Sequence, residues 1–440
     1  MITPRTLAAI AAGLIAIAAT AAFSADQITV LTSNDSMLKL RPVAFEGGRT
    51  LELTVGIGSG AFRHPDAPRD IIQTVSDRGP NFTCKDGVKI TGLSQQKLCG
   101  KTKGARIYPV PEYAPTIYTV KIGTDGRFRV IEALPLKDRD GKPLNGLLNP
   151  LTKAKTEIPF DRKGRRLAQD PSAVDAEALV KLKDGSYWIA DESAPSIIHV
   201  GPDGRVIKRL VPAGTEGDFK GANYTVEGKL PAILYKRHTN RGIESIAISP
   251  DERFLYFAMQ SPLDNPDAAA YRKGRNIRLF KFDRGAEKTV GEYVYVMDAP
   301  GTFTLDNVKK ARKQNDVKIS EMSGLGLDRL LVLERISKTT KLYEIDLARA
   351  TNILGGKWDD AATKPSLEQT AAAVAGIKTT PKSLFFSTDD HKGLPDKIEG
   401  IAHLGDGSLA LINDDDFGIE GARTKIIVIR RAGDKATAKR

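Results

Sequence analysis

Three glutamates open three similar stretches of this chain. Glu177 begins EALVKLKDGSYWIADES, Glu244 begins ESIAISPDERFLYFAMQS and Glu399 begins EGIAHLGDGSLALINDDD. Each has an Asp seven residues on (Asp184, Asp251, Asp406), followed by an apolar run that ends in polar side chains. More acids stand at such run ends: Asp77, Asp191 with Glu192, Glu334, and Asp414 with Asp415. Carboxylates gathered in one place repel unless they are protonated, paired with arginine or shared by a cation. Oxygen-only donors, with no His or Cys at matching positions, favour Ca2+ or Mg2+ over zinc or copper, and Ca2+ is the first choice. Arginines stand beside the same acids: Arg78 after Asp77, Arg241 three residues before Glu244, and Arg335 after Glu334. A guanidinium fork grips phosphate through two hydrogen bonds, so this mixture suits a phosphate-and-metal site. Glu177, Glu244, Glu399, Asp77, Arg78, Arg241 and Arg335 are therefore read as catalytic. Asp191, Glu192, Glu334, Asp414 and Asp415 are read as cation ligands. The same residues would equally serve as hairpin ends held by plain ion pairs.

Other chemistry has weaker support. The chain has no GxSxG elbow, no HExxH and no P-loop. The glycine-rich run 56–60 has no helix pattern after it, so it is not a dinucleotide loop. Of five histidines, His64, near the first anchor, and His238, just before Arg241, are the two worth testing, and a bland surface role is the simpler reading for both.

The elements that must carry these acids are short strands. In 177–193, runs at 178–182 and 187–190 flank Lys183-Asp184-Gly185-Ser186. Asp-Gly between such runs is a hairpin signal, and a type I′ turn centred on it sets Lys183 against Ser186 and Glu177 against Glu192. The unit recurs. Its anchors are Ser59, Glu177, Glu244, Ser323 and Glu399, the last four at intervals of 67, 79 and 76 residues. A third strand follows in each unit, at 116–122, 196–200, 277–282, 341–345 and 425–429. A fourth is visible at 206–211 and 292–297. Three or four antiparallel strands per repeat describe a propeller blade, so the expected fold is an all-β propeller of four-stranded blades. Five units are visible. A sixth blade is expected from residues 28–55 with C-terminal strands, five to seven being compatible with the pattern. First strands then line a central channel, and the anchors ring one mouth of it. Short helices are expected at 306–314 and 367–377, and 135–171 reads as an insertion.

Residues 7–23 are apolar and alanine-rich, Arg5 precedes them, and small residues follow up to Ala25. This reads as a secretory signal peptide over 1–25, which leaves 26–440 as one exported domain, periplasmic or secreted, with no membrane span after cleavage. Export favours pairing of the two cysteines, Cys84 and Cys99, as a local staple worth about 3 kcal/mol in the chain-entropy model. A formal charge of +12 favours anionic partners or simply solubility. Aromatics make up only 6% and are not interleaved with the basic residues, so nucleic acid is set aside.

Taken together, Ser76-Asp77-Arg78-Gly79, Ala190-Asp191-Glu192, Arg241-Gly242-Ile243-Glu244, Gln260-Ser261-Pro262-Leu263, Leu333-Glu334-Arg335, Glu399-Gly400-Ile401 and Asn413-Asp414-Asp415 resemble the phytase-like, "esterase-like activity of phytase" family. The resemblance covers about residues 45–432. It implies recurrent Glu and Asp residues serving a phosphoesterase or phosphodiesterase, and hence a small anionic phosphate ester as substrate. One departure stands out: Ser59 and Ser323 replace Glu at two anchors, so the acid ring is incomplete. Two other readings stay open. One is a lactonase or carboxyl esterase. The other is a non-catalytic propeller that binds an ion or ligand at its acid mouth.

Overall fold

A computed structural model describes residues 26–431. The segment read as a signal peptide lies outside these residues. Among the described residues no helix is long and apolar enough to cross a membrane.

Five sheets of four or five strands dominate the described residues. Blade 1 runs Gly60–Phe62, Ile71–Val75, Thr116–Ile122, Phe128–Pro135. Blade 2 runs Ala176–Lys181, Tyr187–Asp191, Ser196–Val200, Val206–Pro212, with Thr225–Leu230 added in parallel. Blade 3 holds Ile243–Ile248, Phe254–Met259, Asn276–Asp283 and Lys288–Val296. Blade 4 holds Lys318–Gly326, Arg329–Arg335, Thr340–Asp346 and Lys382–Ser387. Blade 5 has Ile398–His403, Leu409–Asn413 and Ile426–Arg430, and its outer strand is the N-terminal Gln27–Leu31, antiparallel to Ile426–Arg430.

The first strands neighbour one another in the order of blades 1 to 5 and back to 1, which closes the ring. The apolar cores say the same. Residues alternate faces along a strand, so each blade sends one set of side chains to each neighbour. Leu179, Ile189 and Ile198 pack with Val75 and Ile117 of blade 1, while Val180 and Trp188 pack with Ile246 and Phe257 of blade 3. Blades 3 and 4 join through Tyr256, Leu279 and Val332, blades 4 and 5 through Leu333, Leu342 and Leu411, and blades 5 and 1 through Ile412, Ala402 and Ile72. The expected sixth blade is absent among the described residues. Its N-terminal strand instead completes blade 5, where pairing with the last strand ties the two chain ends together.

Two local expectations are corrected. The Asp-Gly hairpin forms, but only Gly185 has positive φ (88°). Gly185 N–H donates to Leu182 O, and Asp184 Oδ1 accepts from Ser186 N–H, so the turn is a three-residue loop with a left-handed glycine and not type I′. The register moves by one: Lys181 faces Tyr187, and Ala178 faces Ala190. Glu177 is then the extra residue of a bulge, because Ala176 pairs with Asp191. The same irregularity falls at Glu244, Glu399 and Ser320. The fourth anchor is therefore Ser320. Ser323 lies three residues further down the same strand, facing Leu331.

The cysteine segment holds two short helices, Cys84–Thr91 and Gln95–Cys99, capped by Thr83 and Ser94 and joined by the Cys84–Cys99 disulfide. Beside them Ala105–Tyr108 pairs with Phe82–Thr83 and with Ile158–Asp161 of the insertion. At 306–314 the helix is one turn, Thr304–Asn307, and at 367–377 it is Leu367–Gln369.

Candidate functional site: a charged cavity at one mouth of the propeller

The first strands begin, and the second strands end, at the same mouth, where they line a cavity of about 670 Å³. All seven residues read as catalytic line it: Asp77, Arg78, Glu177, Arg241, Glu244, Arg335 and Glu399. Of the five residues read as cation ligands, Glu192 and Asp414 line it as well. The bulges explain the convergence. An extra residue twists the strand and re-aims one side chain, here toward the propeller axis. Gly242 contributes by close packing, since a Cβ there would sit 2.0 Å from the Glu192 carbonyl oxygen.

Asp191, Glu334 and Asp415 lie outside the cavity lining. Asp191 is fully buried with Arg209, Nη2 to Oδ2 2.9 Å, and both are 0% exposed. It also accepts from the Asp175 and Ala194 backbone N–H groups. Glu334 takes Lys382 Nζ at 3.0 Å, Tyr295 O–H and Asp298 N–H. Asp415 accepts from Thr54 O–H and Thr424 N–H. Of the two histidines, His238 stacks on Tyr271 and bonds Asp264, while His64 pairs with Glu252 at the opposite mouth.

The cavity also holds groups that the repeat pattern did not flag. Lys318 and Lys397 each stand two residues before an anchor, in line with Asp175 in blade 2, and Asp416 adds to the wall. Arg106 comes from the strand beside the disulfide segment. Glu157 of the insertion holds Arg106 at 2.7 Å and Arg78 at 3.0 Å, and Asp175 meets Arg78 at 3.3 Å. Arg335 pairs with Glu399 and donates to Ser320 Oγ (2.8 Å), and Lys397 pairs with Asp416. Arg241 donates to Gln260 Oε1. Below the mouth, fully buried Glu321 accepts from the Ala61 N–H.

Carboxylates at such density are hard to ionise. Burial, then the neighbouring Glu244 and Asp175 charges, push Glu177 well above the usual range. Burial with Asp175 and Asp414 does the same to Asp77, and burial with Glu244 and Asp175 does so to Glu192. Burial and Asp416 raise Asp414 to about 7. Two sets of carboxylates bring ligand atoms within 4.8 Å of one another: Asp77, Asp175 and Glu177, and Glu177, Glu244 and Glu399. Within them both oxygens of Asp175 (2% exposed) and Oε2 of Glu244 (3% exposed) are enclosed without a hydrogen-bond partner. A hard divalent cation fits this all-oxygen donor set, and Glu177 would be shared between the two groups.

Fold and cavity together define a β-propeller with one strongly ionic mouth. Residues 107–417, most of the chain, match the family model "Phytase-like: Esterase-like activity of phytase". The chain belongs to that family. A curated relative from Arthroderma benhamiae, described as an "Uncharacterized secreted protein", is 24% identical over 196 residues. That match covers 38% of each chain, so the chain spans well under half of the relative's length. Among solved structures, virginiamycin B lyase from Staphylococcus aureus is similar at 11% identity, covering 92% of this chain and 99% of that one, with a TM-score of 0.32. A luciferin-regenerating enzyme is similar at 10% identity, covering 87% and 93%, also with a TM-score of 0.32.

Proposed function

We propose that the protein is an exported, divalent-cation-assisted hydrolase of phosphate esters. The observation that carries this reading is one cavity in which enclosed carboxylate oxygens of Glu192 and Glu244, without a hydrogen-bond partner, stand beside arginines and lysines. Membership of the phytase-like family supports the same substrate class. Asp77, Asp175 and Glu177, whose ligand atoms lie within 4.8 Å of one another, would hold the cation, and Ca2+ suits their oxygens best. Bound there, it would polarise a phosphoryl oxygen and offset charge that develops during hydrolysis. Arg241 and Arg335 orient the phosphoryl group from the far wall. Asp414, with a pKa of about 7 raised by burial and Asp416, suits a group that passes a proton to or from water near neutral pH. Arg78 is tied to Glu157 and Asp175, so it braces the wall.

The test is turnover of phosphomonoester and phosphodiester substrates by purified protein, with calcium and then with chelator. Chelator-sensitive release of phosphate or alcohol is expected. No turnover of either ester class would overturn the reading.

A further inference from the structure

Six cationic side chains line the ionic cavity, and five have partners: Arg78 and Arg106 on Glu157, Arg335 on Glu399, Lys397 on Asp416 and Arg241 on Gln260. Lys318 is the exception. Among the described residues its ammonium makes no hydrogen bond or ion pair, although it sits in the wall of a recessed cavity. Its cross-strand partner in blade 4 is Arg335, a second cation. Like charges directly opposite on paired strands destabilise a sheet. Burial and the charges of Arg335 and then Arg241 act against the ammonium form, with Glu244 and Glu192 giving the nearest relief.

The asymmetry of the ring places this cluster. Blades 2, 3 and 5 carry Glu177, Glu244 and Glu399 at the bulge, whereas blade 4 carries Ser320. Where blade 2 has Asp175 and Glu192, blade 4 has Lys318 and Arg335. The two strand-end positions that are acidic in blade 2 are thus both cationic in blade 4. Lys318, partly buried and without an ion pair of its own, stands opposite a second cation, and a bound anion would offset both charges.

We propose that Lys318 anchors an anion subsite, flanked by Arg241 and Arg335, that takes the phosphoryl group of the substrate. This rests on the phosphate-ester reading and narrows it: the ester enters with its phosphoryl group against blade 4 and its leaving group toward open solvent. The Ser at the fourth anchor is then a feature of the site, because a Glu at 320 would put a carboxylate into the anion subsite.

Isothermal titration of the full protein with inorganic phosphate tests the subsite without turnover. Phosphate should bind, and Lys318→Gln should weaken it about tenfold or more, the scale of one charge-assisted contact. Lys318→Arg should retain binding within about threefold. Lys183→Gln, at the opposite mouth, should leave it unchanged. Melting of Lys318→Gln should match or exceed that of the parent, since a like-charge contact is removed. Phosphate affinity unchanged in Lys318→Gln, or no phosphate binding by the parent, overturns the proposal. If Lys318→Gln fails to fold, Lys318→Arg decides, and loss of phosphate binding in that folded variant overturns it. Esterase kinetics separate the two readings. Phosphoester turnover with KM unaffected by Lys318→Gln sinks the subsite and leaves the hydrolase. Lysine-dependent phosphate binding without turnover keeps the subsite and sinks the hydrolase.

Discussion

The two mouths of the propeller are built from the same five first strands and differ in almost everything else. At the starting end the strands bulge, and a cavity of about 670 Å³ is walled by seven acids and six bases. At the far end the strands run into their turns around a wider hollow of about 1470 Å³, lined by Phe62, Ile248, Leu325, Pro65 and Pro250 among scattered polar groups. There the charges sit in ordinary places: His64 on Glu252, whose carboxylate also takes the Lys183 N–H. The difference teaches where the fold concentrates electrostatic cost. The turn end holds fewer charges, and those of His64 and Glu252 are paired locally. Three of the four bulges at the other end push carboxylates together where no hairpin needs them.

The largest expected effect lies behind the ionic mouth. Arg209 is enclosed by Asp191, Ser196 Oγ, Asn149 and the Ala173 and Ala194 carbonyls, and Asp191 in turn holds the Asp175 backbone. Arg209→Met leaves a buried carboxylate uncompensated and should cost about 3–5 kcal/mol, read by urea unfolding. A comparable loss from His64→Ala would remove the contrast in electrostatic cost between the two mouths.

Next comes the shared carboxylate. Glu177→Gln keeps shape and removes the charge common to both acid groups. Turnover should fall about 100-fold or more while the melting temperature holds or rises, because neighbouring carboxylates lose a repelling partner. A fall in stability with turnover intact would make Glu177 a structural group and remove the contrast between the mouths. Calcium sharpens the same point. At saturation it should raise the melting temperature by about 2–5 °C. The rise should vanish in Asp175→Asn and persist in Glu252→Gln.

What could be read from the chain followed the range of each interaction. Hairpins and third strands rest on neighbouring residues, so their positions were legible, and so was the convergence of Glu177, Glu244 and Glu399. Blade number depends on Gln27–Leu31 reaching Ile426–Arg430 at the other end of the chain, and no local pattern reports that. The turn type was misread because Asp184 keeps negative φ, and that single-residue shift conceals the bulge that aims Glu177. The misplaced fourth anchor has the same origin, since a bulge adds one residue without a sequence mark. Strand alternation does carry one recoverable signal. Adjacent residues face opposite ways. Of Asp191 and Glu192, Glu334 and Arg335, or Asp414 and Asp415, only one member of each pair could meet the axis. The cavity takes Glu192, Arg335 and Asp414, and the others turn to Arg209, Lys382 and Thr54.

The smallest expected effect belongs to the turn-end mouth and has the opposite pH sign. His403 ends the first strand of blade 5, and its Nε2 is enclosed without a hydrogen-bond partner. Burial lowers its pKa to about 4, against an ordinary value near 6.5. The folded state therefore binds the proton less readily than the unfolded chain. Stability from this group is whole above pH 6.5 and drains as pH falls toward 4. The buried carboxylates of the ionic mouth act in reverse, since their raised values favour the folded state as protons bind. A variant-minus-parent comparison cancels them. In His403→Phe the loss of stability between pH 6.5 and 5 should shrink by about 1–2 kcal/mol, measured by urea unfolding at each pH. Glu177→Gln should leave that part of the slope in place. If His403→Phe leaves the profile unchanged, the turn-end mouth is wet enough to protonate its histidine, and the two ends of the channel differ less than their linings suggest.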